Sequence, residues 1–129
     1  MQFLSLFAAA ALGIGALTLP GPALAEISAE MRVALQGAML SYVDSVLVDG
    51  AYTYLDPTAD EMRTVYPANV HPMIVTVGDD YFVCSEMVTE TGEQVTADFL
   101  VREVEGEWTV VQALLNDRAS LETAMSKDM

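Results

Sequence analysis

Basic residues are scarce in this chain. It carries 5 Lys and Arg against 19 Asp and Glu, a single histidine, and a formal charge of −14 at pH 7. Nucleic acid and anionic lipid headgroups reward clustered Lys and Arg, so the charge excludes both as partners. Cysteine is limited to Cys84, which leaves no disulfide framework and no paired-cysteine metal motif. There is no glycine-rich phosphate loop, no Ser, His and Asp order of a nucleophilic enzyme, no internal repeat and no low-complexity tract. At 129 residues the chain is also too short for a two-domain enzyme.

The charge that is present is unevenly placed. Residues 1–25 contain no Asp, Glu, Lys or Arg. Phe3 to Leu19 is an apolar run broken by little more than Gly, Ser and Thr, Pro20-Gly21-Pro22 interrupts any helix, and Ala23-Leu24-Ala25 supplies a small-x-small site. This pattern predicts a signal peptide over 1–25, cleaved before Glu26, and a periplasmic or secreted product with no membrane attachment after cleavage. The lack of a basic n-region leaves an uncleaved anchor as the alternative. Against that alternative, the Pro-Gly-Pro segment falls within the roughly 20 residues a span needs. Residues 26–129 then form one domain that carries all of the acid, read as a device for solubility.

Within that domain the hydrophobic period changes once. Ser28 can cap a helix with Glu30 in its first turn, and Met31, Leu35, Ala38, Met39, Tyr42, Val43, Val46 and Leu47 recur at helical spacing as far as Asp49-Gly50. Ala51 to Leu55 reads as a short strand or connector, with Tyr52 and Tyr54 on one side. Thr58-x-x-Glu61 is a capping box ahead of Met62, Val65 and Tyr66, and Pro67 stops what it starts, which predicts a short second helix. From Val70 the period is two. Turn signals at Gly78-Asp79, Thr91-Gly92 and Glu105-Gly106 divide the rest into strands near 70–77, 80–88, 94–104 and 107–115. The expected fold class is α+β: a long N-terminal helix and a short second helix packed on a curved four-stranded antiparallel meander. A further short helix after Asn116 would bury Leu121 and Met125.

Loops of two, four and two residues fix a register. Val77 then faces Asp80, Thr89 faces Gln94 and Val104 faces Glu107. One face carries the rows Val75, Phe82, Val101, Val110 and Met73, Cys84, Phe99, Gln112, followed by His71, Glu86, Ala97, Leu114, and the long helix is expected against it. The other face, with Ile74, Tyr81, Val83, Leu100 and Val111 among Asp98, Arg102 and Thr109, holds enough hydrocarbon to suggest a second cover, either a homodimer partner or the C-terminal helix.

Helix, short helix and curved meander in this order resemble the cystatin-like folds and in particular the nuclear-transport-factor-2-like domains. Ala97-Asp98-Phe99-Leu100-Val101, together with Gly106-Glu107-Trp108-Thr109-Val110-Val111, is similar to their final hairpin, in which a Gly-x-Trp turn begins the last strand. The resemblance implies a cone whose mouth binds small ligands or, in enzymatic members, holds an Asp or His acting on carbon acids or epoxides. No catalytic motif of that family matches this sequence, so no catalytic residue is carried over.

The polar residues stranded on the expected core face are His71, Glu86 and Gln112. With Tyr52 and Tyr54 arriving from the preceding segment, they are the candidate ligand-binding residues. The plainer account is a half-solvated His-Glu pair closing the rim of the core. The sequence favours a non-catalytic exported binding domain that takes a small apolar ligand, or a side chain of a protein partner, between helix and sheet. One alternative is a small isomerase or hydratase in which Glu86 takes the proton and His71 or a tyrosine polarises the substrate. Another is an inhibitor or adaptor that works through the outer sheet face. No cofactor and no metal are expected. Asp56, Asp60 and Glu61 lack the frame of a calcium loop, Cys84 reads as an inert core thiol, and Asp98 with Arg102 reads as a surface ion pair.

Overall fold

Ser28 starts the first helix as its sequence suggests. Its Oγ accepts from the Met31 N–H at 3.1 Å, and its carbonyl accepts from the Arg32 N–H. The computed structural model describes residues 27–127, so the expected leader and its cleavage site lie outside the described residues. Helix α1 spans Ala29–Val46 and buries Leu35, Met39 and Val43. Asp49 and Gly50 then turn the chain with φ of 53° and 78°, the paired positive values of a tight hairpin turn, and Val48 and Ala51 exchange hydrogen bonds across it.

Five strands follow: β1 (Tyr52–Asp56), β2 (Glu61–Val77), β3 (Asp80–Val88), β4 (Gln94–Val104) and β5 (Glu107–Leu115), with helix α2 (Arg118–Lys127) closing the described chain. The strands form one antiparallel sheet in sequence order. The described residues are therefore α+β, with two helices and a five-stranded meander. Strand β2 is long enough to serve two partners, pairing β1 through Glu61–Val65 and β3 through its remainder. Among the described residues no helix is long and apolar enough to cross a membrane.

The short helix expected over Thr58 to Tyr66 is a strand pair instead. Asp56 takes the capping role that the sequence assigned to Thr58. It is buried, and its Oδ1 accepts from the N–H groups of Thr58 at 2.9 Å and Ala59 at 3.3 Å, which folds residues 57–60 into a hairpin turn. Beyond the turn, Val65 points into the core while Met62 is exposed, an alternation of period two that Thr64, Val65 and Tyr66 suit as β formers. The Asp56 carboxyl is lowered in pKa: burial would raise it, but the Thr58 and Ala59 bonds, Asn116 and Arg63 outweigh that cost.

The expected register holds at the two outer turns and fails between β3 and β4. Val77 faces Asp80 and Val104 faces Glu107, but Val88, not Thr89, faces Gln94. The loop holds one residue more than expected because Thr89 organises it. Its N–H and carbonyl bond to Glu93 and Gly92, its Oγ1 accepts from the Glu93 N–H, and Gly92 takes φ 85°. A slip of one residue turns a strand over. Phe99 therefore lies beside Val83, and Asp98, not Phe99, lies beside Cys84.

The two faces of the sheet are thereby redistributed. Helix α1 packs on Val83, Met87, Val95, Ala97, Phe99 and Val101, with the Tyr42 ring meeting Phe99 edge-on at 5.9 Å. Of the expected α1 face, Ala97, Phe99, Val101 and Val110 do lie under α1, whereas Val75, Phe82 and Cys84 lie on the opposite face and pack, with Leu100, under Leu121 and Met125 of α2. Of the hydrocarbon expected on the outer face, Ile74, Tyr81 and Val83 are covered by α1 and Leu100 by α2.

The ladder is broken in three places: by Ala68 on β2, between the pairs Pro67–Met87 and Asn69–Glu86, and at two further points, of which the last shapes the candidate site. On β5, Val111 is an extra residue between the pairs Val101–Val110 and Leu100–Gln112. On β2, the pairs Val70–Ser85 and Ile74–Val83 enclose His71, Pro72 and Met73 on one strand and only Cys84 on the other. Pro72 has no N–H to give a ladder, and proline inside a strand is confined to edges and bulges. The bulge is fastened from across the sheet: Arg32 of α1 donates to the Pro72 carbonyl, and Gln36 donates to the His71 carbonyl at 3.3 Å.

Candidate functional site

The residues expected to share one pocket fall into separate places. Tyr52 and Tyr54 lie on the α1 side, both nearly buried. They wall a cleft of about 300 Å³ between β1 and the end of β5, together with Pro57, Ala113, Leu115 and Asp117. Burial raises the Tyr52 phenol above its ordinary pKa, and Tyr42 beside it adds to the effect. Burial likewise raises Tyr54, with Asp56 adding to the rise and Arg63 opposing it. Gln112 is exposed on β5, just past the Val111 bulge, and joins neither group.

His71 and Glu86 do meet. The His71 Nε2 lies 3.0 Å from the Glu86 Oε1, although the backbone residue opposite Glu86 is Asn69. Without the bulge His71 would sit directly across from Glu86; with it, the imidazole reaches the carboxylate from a displaced position. A carboxylate accepts only, so the proton of this contact sits on Nε2, and a ring neutral in this tautomer keeps the Nδ1 lone pair for another partner. The two side chains are 37% and 26% exposed, which places them at the mouth of a recess rather than inside the core.

That recess, about 160 Å³, is lined by His71, Met73, Cys84, Glu86, Thr96 and Arg118. Behind it stands a buried polar cluster that the expected register concealed. Asp98 is fully buried, and its Oδ1 accepts from the Cys84 thiol at 2.9 Å and from Arg118 Nη1 at 2.5 Å. The same Nη1 lies 3.1 Å from the Cys84 sulfur. Asp98 Oδ2 is buried without a hydrogen-bond partner, a cost that folded proteins rarely carry. The pairing expected between Asp98 and Arg102 does not form, because the two side chains have different partners. Arg102 is bound twice by the Asp80 carboxylate, at 2.6 and 2.7 Å, and this bond holds Asp80 below the usual carboxylate range. Nor does Cys84 lack a basic neighbour, since Arg118 arrives from α2.

Burial pushes the Cys84 thiol up to about 11, the hydrogen bond to Asp98 adds to the rise, and Arg118 pulls against it. The thiol is therefore protonated at neutral pH and is no free nucleophile, as its core position suggested. Met73, Cys84, Thr96, Asp98 and Arg118 are the site residues that sequence reasoning missed. One signal was available: a proline between His71 and Met73 in a strand marks a bulge, and bulges re-aim side chains beside functional sites.

A second opening lies on the α1 side. Ala34, Gly37, Ala38 and Ser41 are too small to fill the angle between α1 and β5, and this leaves an open groove of about 380 Å³ floored by Tyr42, Trp108 and Val110. Around Leu35, Met39, Met87 and Phe99, all at most 1% exposed, the space between α1 and the sheet is occupied by side chains. No protein-family model, curated protein or solved structure matches the chain.

Proposed function

We propose that this chain is a non-catalytic, exported binding domain whose ligand site is the recess beside α2. The observation that carries the reading is the buried Asp98, which spends one oxygen on Cys84 and Arg118 at the wall of the recess while the other stays unpartnered. A hydrocarbon pair at these positions would be at least as stable, so a cluster of this kind is better explained by what it positions than by what it stabilises. Export rests on the leader pattern of residues 1–25. Binding is favoured over acid-base turnover because a recess of about 160 Å³ encloses only a few heavy atoms and has no apolar chamber to exclude water around a reacting carbon.

The test is thermal unfolding against a panel of small carboxylates, amines and metal ions. A ligand present at 100 times its Kd raises stability by about 2.7 kcal/mol. At least one member of the panel should raise the Tm of the wild type, and His71→Gln, at the half-exposed mouth, should remove the rise. A panel that leaves Tm unmoved, or a rise that survives both His71→Gln and Met73→Leu, refutes the reading.

A second reading has its own observation. The groove between α1 and β5 runs beside a sheet edge and suits a small apolar ligand or a partner's side chain. Trp108 is the only tryptophan, so its emission reads this groove alone. An apolar probe such as Nile red should quench it in the wild type and not in Gly37→Leu. Equal quenching in both would remove the groove from consideration.

A further inference from the structure

The recess beside α2 carries opposite charges in neighbouring rows of the sheet. On that face Cys84 lies beside Asp98 and Glu86 beside Thr96, each row taking one residue from β3 and one from β4. The Cys84–Asp98 row holds the Arg118 guanidinium, whose Nη1 bonds to both side chains. The Glu86–Thr96 row holds a carboxylate that His71 anchors through one oxygen at 3.0 Å. His71, Glu86, Thr96 and Arg118 all line the same opening.

Each charged group is held on one side and open on the other. A guanidinium has five N–H donors in a planar fork. Among the described residues only Nη1 of Arg118 has a partner, so Nε and Nη2 keep theirs to give. Those nitrogens suit a carboxylate, which arginine takes two bonds at a time. At the other end the acceptors are the second oxygen of Glu86, the Thr96 hydroxyl and, in the tautomer that donates to Glu86, Nδ1 of His71. An ammonium, with three N–H donors and no acceptor, matches that set. A lone anion would be opposed by Glu86 and a lone cation by Arg118, so the recess rewards a ligand that carries both charges. The spacing limits how far apart they stand. Residues two apart on a strand are separated by about 6.6 Å, and two charge-assisted hydrogen bonds of about 2.8 Å each use most of that length. What is left accommodates an ammonium and a carboxylate on a single carbon.

From this placement we propose that the recess binds a small free α-amino acid, the size of glycine or alanine, with its carboxylate on Arg118 and its ammonium on Glu86. The proposal rests on the reading of this recess as a binding site and names its ligand class. A cavity of about 160 Å³ admits the few heavy atoms of such a zwitterion and no long side chain. The terminus of a peptide carries only one of the two charges and satisfies only one end. Buried Asp98 acquires a role here, since it holds the guanidinium at Cys84 from behind. The bulge has one too: Arg32 and Gln36 of α1 hold its carbonyls from the opposite face, so His71 is fixed where it can anchor Glu86.

The experiment is equilibrium dialysis of the purified chain against radiolabelled glycine at constant ionic strength, with circular dichroism to confirm folding. Glycine should bind saturably, one per chain, and unlabelled alanine should displace it. Acetate and methylammonium each carry half of the ligand, and γ-aminobutyrate carries both charges too far apart; each should displace glycine roughly tenfold less well or worse. Glu86→Gln keeps the shape of a partly exposed side chain and should weaken glycine binding by roughly tenfold or more. Glu103→Gln, which removes the same charge from an exposed position on β4 outside the recess, should change nothing. No saturable binding, displacement by acetate as readily as by glycine, or a Glu86→Gln affinity equal to wild type overturns the assignment. If glycine and alanine are refused while another small ligand raises Tm in a His71-dependent way, the recess stands and only the amino acid falls. If nothing binds, both readings fall.

Discussion

The two faces of the sheet are covered by helices of unequal character, and the contrast separates folding from function. The α1 face has the larger apolar cluster, packed around Leu35, Met39 and Phe99. The α2 face has a smaller apolar cluster and, beside it, a buried carboxylate, a thiol, a guanidinium and a His-Glu pair around an opening. Burial of apolar surface drives folding, so the first face is sufficient reason for the domain to exist. The second carries polar groups whose burial costs free energy unless each is paired.

The contrast can be broken most forcefully at Arg118. Arg118→Met leaves the Asp98 carboxylate buried without its counter-charge and should cost about 3–5 kcal/mol. Adding Asp98→Leu should recover most of that loss, because an apolar pair replaces the ionic one. Urea melts of the single and double variants decide the matter; a double variant no more stable than Arg118→Met would mean the cluster is needed for stability itself. On the α1 face no such rescue exists. Leu35→Ala should cost about 2–5 kcal/mol through the cavity it opens, and a loss under about 1 kcal/mol would show that face to be looser than its burial implies.

Acid sharpens the comparison, because the carboxyls held below the usual range lie at the sheet's margins. Asp56 and Asp80 are held low in the folded state by their hydrogen bonds and arginine partners. A depressed folded pKa contributes stability that is present at neutral pH and lost as pH falls from about 4 downward. Urea melts at falling pH should show that loss, and Asp56→Asn with Asp80→Asn should flatten it. The smallest effect is a gain. A methyl group added at Gly37 meets nothing within 4 Å, so Gly37→Ala should stabilise α1 by about 0.5–1 kcal/mol, read as a rise in Tm.

The sequence made some of this architecture legible and hid the rest for identifiable reasons. The spacing of Leu35, Met39 and Val43 pointed to α1 because an amphipathic helix repeats its own signal over several turns. Gly78-Asp79 and Glu105-Gly106 located their turns because a two-residue hairpin admits few residues. The capping box at Thr58 misled because an Asp just ahead of it can satisfy the same N–H groups in a tight turn. The loop after β3 misled for a subtler reason: its length depends on the Thr89 hydroxyl, and one residue there inverts a strand. His71 and Glu86 were paired from a register the bulge breaks, and they meet only because a long carboxylate side chain spans the displacement. Met73 and Cys84 looked like core residues because hydrophobic pattern counts sulfur as grease. Arg118 could not be placed at all, since nothing local in Asn116-Asp117-Arg118 reveals what a helix start will face.

The three-against-one bulge opposite Cys84 also has a bearing on how such a site could be gained or lost. Its location is written in a residue count rather than in the identity of any side chain. Excising two residues from His71-Pro72-Met73 would remove this bulge from the β2–β3 ladder, keep the sheet and both helices, and close the opening. The same scaffold could thus exist in blank form, and the feature to look for in other chains built this way is a two-residue insertion centred on a proline.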